Sequence, residues 1–102
     1  MHGSIITWRI GEAHRSGTAW ERFVDDALVF WAQVSRQPGH LSGHTVRTAA
    51  DTVVSVNVYT SQEAADAAVG IFLPRVLKEL GDRIAFVERT DGSVLDLRWS
   101  VT

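Results

Sequence analysis

Residues 53–68, VVSVNVYTSQEAADAA, constrain the chain more than any other stretch. The first half alternates as an extended strand does: Val54, Val56 and Val58 fall on one face, and Val53, Ser55, Asn57 and Tyr59 on the other. The strand runs directly into a helix. Thr60 or Ser61 can cap that helix, and Glu63 sits in its first turn, where the helix dipole favours an acid. Ala64, Ala65, Ala67, Ala68, Val69, Ile71 and Phe72 follow as a face of small and apolar residues able to approach a sheet closely. If helices cover the Asn57 and Tyr59 face, the valines face outward. An exposed valine-rich sheet face calls for a partner, and a second copy of the chain packed sheet to sheet is the economical one.

The remaining chain fits around this unit. Residues 4–10 read as a first strand with Ile6, Trp8 and Ile10 on one side, and residues 11–17 as a loop. Thr18 and Glu21 have capping-box spacing, so a helix is expected from there to about Arg36. Its apolar stripe is Trp20, Phe23, Val24, Ala27, Leu28, Trp31 and Val34, with Val29 and Phe30 off the stripe. Pro38 stops the helix, and Gly39 and Gly43 belong to the turn after it. A strand over residues 44–48, a reversal at residues 49–51 and the valine strand follow. Pro74 predicts a kink or a break before a short helix to Leu80, and Gly81 a C-terminal cap. A strand over residues 84–89, a tight turn at Asp91-Gly92 and a last strand over residues 94–99 complete the chain. The order β-α-β-β-α-β is that of a ferredoxin-like α+β sandwich with an antiparallel sheet and both helices on one face.

A length of 102 residues fits a single domain spanning residues 1–102. A net charge of −2 with scattered arginines gives no basic field for a nucleic acid. The absence of cysteine excludes disulfides, thiolate metal sites and thiol nucleophiles. No apolar stretch approaches the roughly 20 residues of a membrane span, and the expected location is cytoplasmic.

The Pro38-Gly39 turn and the passage Val58-Tyr59-Thr60-Ser61-Gln62-Glu63-Ala64-Ala65 resemble the antibiotic biosynthesis monooxygenase superfamily of dimeric α+β barrels. Tyr59 stands where that family has an aromatic residue, often Trp, at the end of its second hairpin strand; Ser61, Glu63 and Ala64 match its helix start. The resemblance implies a homodimer built by sheet-to-sheet packing. It also implies a cofactor-independent monooxygenase acting on a hydrophobic aromatic or polyketide-like molecule. Relatives on the same fold include haem-degrading and stress-responsive proteins, so a non-catalytic small-molecule-binding dimer is the alternative. Haem-degrading members carry an axial His on the second helix, whereas residues 62–81 contain none here.

Candidate catalytic residues are Asn57, Tyr59 and His44; candidate substrate-binding residues are Trp8, Trp31, Phe72 and Arg47. An Asn in a β-branched strand needs a compensating reason, either a hydrogen bond to a substrate oxygen or a backbone partner. Tyr59 can move a proton or simply pack its ring on the alanines of the helix. Trp31 lies on a helical aromatic stripe that serves a core as readily as a pocket. His40 and His44 are four apart, but Gly43 in the turn and the lack of a nearby third ligand argue against a metal. His44 alone is the candidate base, as imidazole is the side chain chemically suited to proton transfer at physiological pH. Arg47 is either an anion holder or an edge residue that discourages further sheet pairing.

Overall fold

A computed structural model describes residues 1–95 of the chain. β1 (His2–Ile10), α1 (Gly17–Val34), β2 (His40–Ala49), β3 (Thr52–Tyr59), α2 (Gln62–Leu80) and β4 (Ile84–Ser93) follow one another, with 3₁₀ turns at Glu12–His14 and Gly81–Arg83. The strands form one antiparallel sheet in the order β2-β3-β1-β4. This is the ferredoxin-like β-α-β-β-α-β arrangement that the sequence pattern predicts. The predicted last strand over residues 94–99 lies, from residue 96 onward, outside the described residues.

Register decides which face each strand residue joins. Ser4, Ile6 and Trp8 pair with Asn57, Ser55 and Val53, and all six therefore share one face. α1 contributes Phe23, Ala27 and Phe30 to the core over this face; α2 contributes Phe72, Val76 and Leu80. A smaller cluster joins Tyr59 to Ala65 and Ala68, where alanines bring α2 close to the sheet. The opposite face carries Val54, Val56 and Val58 with their partners Thr7, Ile5 and Gly3, and no element of the described chain covers it. Ile5 and Val46 are 39% and 52% exposed there.

The ends of α2 follow their local chemistry. The Ser61 hydroxyl accepts from the Ala64 amide at 3.2 Å, and Gly81 closes the helix at a positive φ of 55°. Of the predicted kink or break, the break does not occur: α2 runs continuously through Pro74, with Phe72, Val76 and Leu80 buried on both sides of it. The residue four before the proline, whose carbonyl faces the ring, is Gly70.

Other expectations are corrected. α1 starts at Gly17 with Ser16 at the cap position rather than Thr18; Gly17 takes a φ of 63° that turns the chain into the helix. Phe30 is a core residue at 9% exposure, and Leu28, assigned to the stripe, is 58% exposed. β2 begins at His40, not His44, so Gly43 lies inside a strand. Asp91-Gly92 is not a turn: β4 stays paired to β1 through Ser4↔Asp91 and Gly3↔Gly92. The Asp91 carboxylate holds that segment extended by accepting hydrogen bonds from Arg89 and His2.

Candidate active site

Two spaces lie between the helices and the sheet. The inner one, about 50 Å³, is lined by Ile6, Trp8, Phe30, Tyr59, Phe72 and their neighbours. It has room for water or a similarly small molecule and none for a ring. The outer one is a cleft of about 410 Å³ between α1 and the β2–β3 hairpin. One wall is apolar, with Trp20, Phe23, Val24, Ala27, Leu28 and Trp31 from α1; the other carries His40, Gly43, Thr45, Arg47 and Asn57 from the hairpin. Trp31 and Asn57 line both spaces.

The hairpin wall follows from strand alternation. Gly43, Thr45 and Arg47 pair with Asn57, Ser55 and Val53, and His40 pairs with Tyr59 across a register shift. His40 Nε2 lies 2.9 Å from Asn57 Oδ1 and donates to it. That bond puts the neutral ring's proton on Nε2 and leaves Nδ1 as its basic nitrogen. The His40 ring also meets Tyr59 edge to face, with centroids 5.3 Å apart. Gly43 makes the pair possible, because a Cβ there would stand 2.5 Å from Asn57 Oδ1 and 3.2 Å from His40 Nε2. A glycine inside a strand here marks a close approach rather than a turn.

Ser55 fixes the aromatic wall. Its hydroxyl accepts from the indole Nε1–H of both Trp8 and Trp31, each at 3.2 Å, and lies 3.5 Å from Thr45 Oγ1. A hydroxyl has two acceptor lone pairs, so the two indoles occupy both, and its own proton is left for Thr45.

Arg47 closes one end of the cleft. Its guanidinium carbon lies 3.8 Å from the centre of the Trp20 ring, and Nη2 donates to the carbonyls of Arg15 at 2.6 Å and Ala50 at 2.7 Å.

The sequence-derived candidates therefore divide. Asn57, Trp31 and Arg47 line the cleft, whereas Trp8, Tyr59 and Phe72 border only the inner cavity. Tyr59 is 2% exposed, and burial pushes its phenol above the usual tyrosine range, with Arg89 pulling it down and Asp91 pushing it up. It is thus a phenol, not a phenolate, near neutral pH. His44 reaches the cleft's edge, but it pairs with Val56, so its register assigns it to the uncovered sheet face. His40 is the imidazole that meets Asn57. Sequence reasoning weighs His40 only as half of a metal-spaced pair and Gly43 only as a turn residue, and it does not single out Ser55 as a site residue. For Gly43 the available signal was a lone glycine between residues that otherwise extend a strand.

No family model and no curated protein matches the sequence. Solved structures do match the fold. SnoaB from Streptomyces nogalater, a cofactor-independent oxygenase seen as an asparagine-to-alanine variant, superposes with a TM-score of 0.71 at 17% identity, over 94% of this chain and 95% of that one. HapK from Hahella chejuensis gives 0.72 at 18% identity over 100% of both chains. A candidate antibiotic biosynthesis monooxygenase from Deinococcus radiodurans gives 0.72 at 14% identity, also over 100% of both.

Proposed function

We propose that this chain, which has the fold of the antibiotic biosynthesis monooxygenases, is a cofactor-independent monooxygenase for a hydrophobic aromatic or polyketide-like small molecule. The observation that carries the reading is the His40–Asn57 pair, set in the wall of an aromatic cleft of about 410 Å³. His40, with its proton on Nε2, has Nδ1 to take a proton from an activated ring C–H. Asn57, its Oδ1 held by His40, keeps its Nδ2–H donors for the enolate oxygen that forms. The resulting carbanion reduces dioxygen itself. Overall, a ring CH₂ and O₂ become a ring carbonyl and water; one oxygen atom enters each product and the substrate supplies all the electrons. The roles assigned here replace His44 with His40 and leave Tyr59, which borders only the inner cavity, packed edge to face against the His40 ring.

We also take the functional unit to be a homodimer, closed over the uncovered face of Val54, Val56 and Val58. No helix among the described residues is long and apolar enough to cross a membrane.

Oxygen uptake with anthrone as substrate tests the reading. The wild type is expected to consume oxygen and form the quinone, and H40A and N57A to slow turnover by roughly a hundredfold, within the usual range for a general base. Unchanged rates in both variants would exclude the pair from the chemistry. The alternative, a binding protein without catalysis, draws on one feature: the α1 wall of the cleft is apolar, and the Trp31 indole N–H on it is already satisfied by Ser55. A ligand that copurifies and survives incubation with oxygen favours that alternative.

A further inference from the structure

We infer that the cleft selects an aromatic ligand bearing a negative charge, a carboxylate or ionised phenol, seated at Arg47. The inference rests on the cleft being a ligand site, as proposed above, and adds the ligand's charge and orientation.

Arg47 is fixed in place by neutral groups. The Trp20 ring lies under its guanidinium at 3.8 Å, and two backbone carbonyls take its Nη2 hydrogens. Its Nε–H and Nη1–H donors make no hydrogen bond among the described residues. Arg83 is neutralised by Asp26 at 2.6 Å, and Arg89 by Asp66 at 2.8 Å and Asp91 at 2.7 Å; Arg9, Arg15, Arg22, Arg36 and Arg75 form no ion pair among the described residues, but Arg47 is the arginine that lines the cleft. Among the described residues no carboxylate forms an ion pair with Arg47, and no Asp or Glu lines the cleft. His40, His44 and Arg47 are its titratable groups. The cleft is therefore a positive site on a chain whose net charge is −2. An arginine serving only to guard a sheet edge needs no such immobilisation. A fixed, planar fork with donors to spare is the arrangement that recognises a carboxylate.

The geometry also sets the ligand's length. Arg47 pairs with Val53, four residues along β3 from Asn57, a separation of about 13 Å at the rise of an extended strand. A ligand that meets Asn57 with a ring oxygen and Arg47 with its anion spans several fused rings, and the tryptophan wall of α1 supports their faces.

The test is a titration of the intact protein with anthraquinone-2-carboxylate and, separately, with anthraquinone-2-carboxamide, followed by quenching of tryptophan fluorescence. The carboxylate should bind about tenfold or more tightly than the carboxamide at low ionic strength, with the gap narrowing as salt is added. In R47Q the gap should shrink to about twofold. Equal affinities in the wild type, or an undiminished gap in R47Q, overturn the inference. The wild-type comparison decides even if R47Q loosens the end of the cleft. Carboxamide binding without carboxylate preference overturns the charge assignment and leaves the oxygenase reading standing. Carboxylate preference without oxygen uptake on the matching anthrones does the reverse. If neither compound binds, both fall.

Discussion

Replacing Ser55 with alanine should destabilise the protein far more than the loss of one hydroxyl implies. Two indole N–H groups depend on that oxygen, from Trp8 and Trp31, each at 3.2 Å. Trp8 is 4% exposed, so its N–H has no route to bulk water once the acceptor is gone, and a buried unsatisfied donor costs about 1–3 kcal/mol. Trp31 borders the open cleft, where water can replace the lost partner, so its share is at most about 1 kcal/mol. The sum, about 1–4 kcal/mol, corresponds to a fall in Tm of roughly 5–20 °C for a domain of this size. Urea denaturation at fixed protein concentration, followed by tryptophan fluorescence, measures it. A double-mutant cycle with W31F should show coupling of about 0.5–1 kcal/mol, since S55A then strands one indole instead of two. A loss below about 0.5 kcal/mol in S55A would refute the reasoning, and would mean that water entering the adjacent 50 Å³ space takes over the hydroxyl's role.

G43A should separate the site from the fold. Its new Cβ would collide with Asn57 Oδ1, the movable end of a side chain, so melting should shift by about 1 kcal/mol or less while turnover falls as in N57A; retained turnover would count against the pair. Tyr59 is the single tyrosine, so near-ultraviolet phenolate absorbance reports it alone; the midpoint should exceed about 10. The stability linked to this raised value is present below pH ~10 and lost as pH rises through the folded value, and a midpoint at or below 10 in folded protein would contradict the burial. Burial pushes the Asp91 carboxyl up, but hydrogen bonds from Arg89, His2 and Ser4 outweigh it and hold the carboxyl below the usual range. Its stabilisation should be present above pH ~4 and lost as pH falls through the lower folded value, so urea midpoints of D91N should fall less steeply with acid than those of the wild type. V56D should convert a dimer to a monomer in light scattering at micromolar concentration; a monomeric wild type would sink the sheet-to-sheet assembly.

Much of the fold could be read from local pattern. The alternation of residues 53–59 separates a valine face from a mixed one, and the structure packs Val53, Ser55 and Tyr59 beneath the helices. Gly81 and Ser61 mark the ends of α2 by chemistry that acts within a few residues. What was not legible depends on partners distant in the chain. The register shift between His40 and Ser42 conceals that β2 starts four residues before the regular alternation, which put His44 forward in place of His40. Ser55 looks ordinary until Trp8 and Trp31 are brought to it from β1 and α1. Asp91-Gly92 has the composition of a turn, but it stays extended because the first residues of β1 pair with it.

The division of the cleft's walls has a consequence for how such proteins diversify. The cleft's imidazoles, guanidinium and amide, from His40, His44, Arg47 and Asn57, belong to one hairpin, whereas its aromatic and aliphatic wall belongs to α1. Reactivity and fit are thus written in separate, contiguous segments. A hairpin exchanged between two chains of this fold would bring its chemistry with it as a cassette, and the recipient's helix would still decide which molecules could enter.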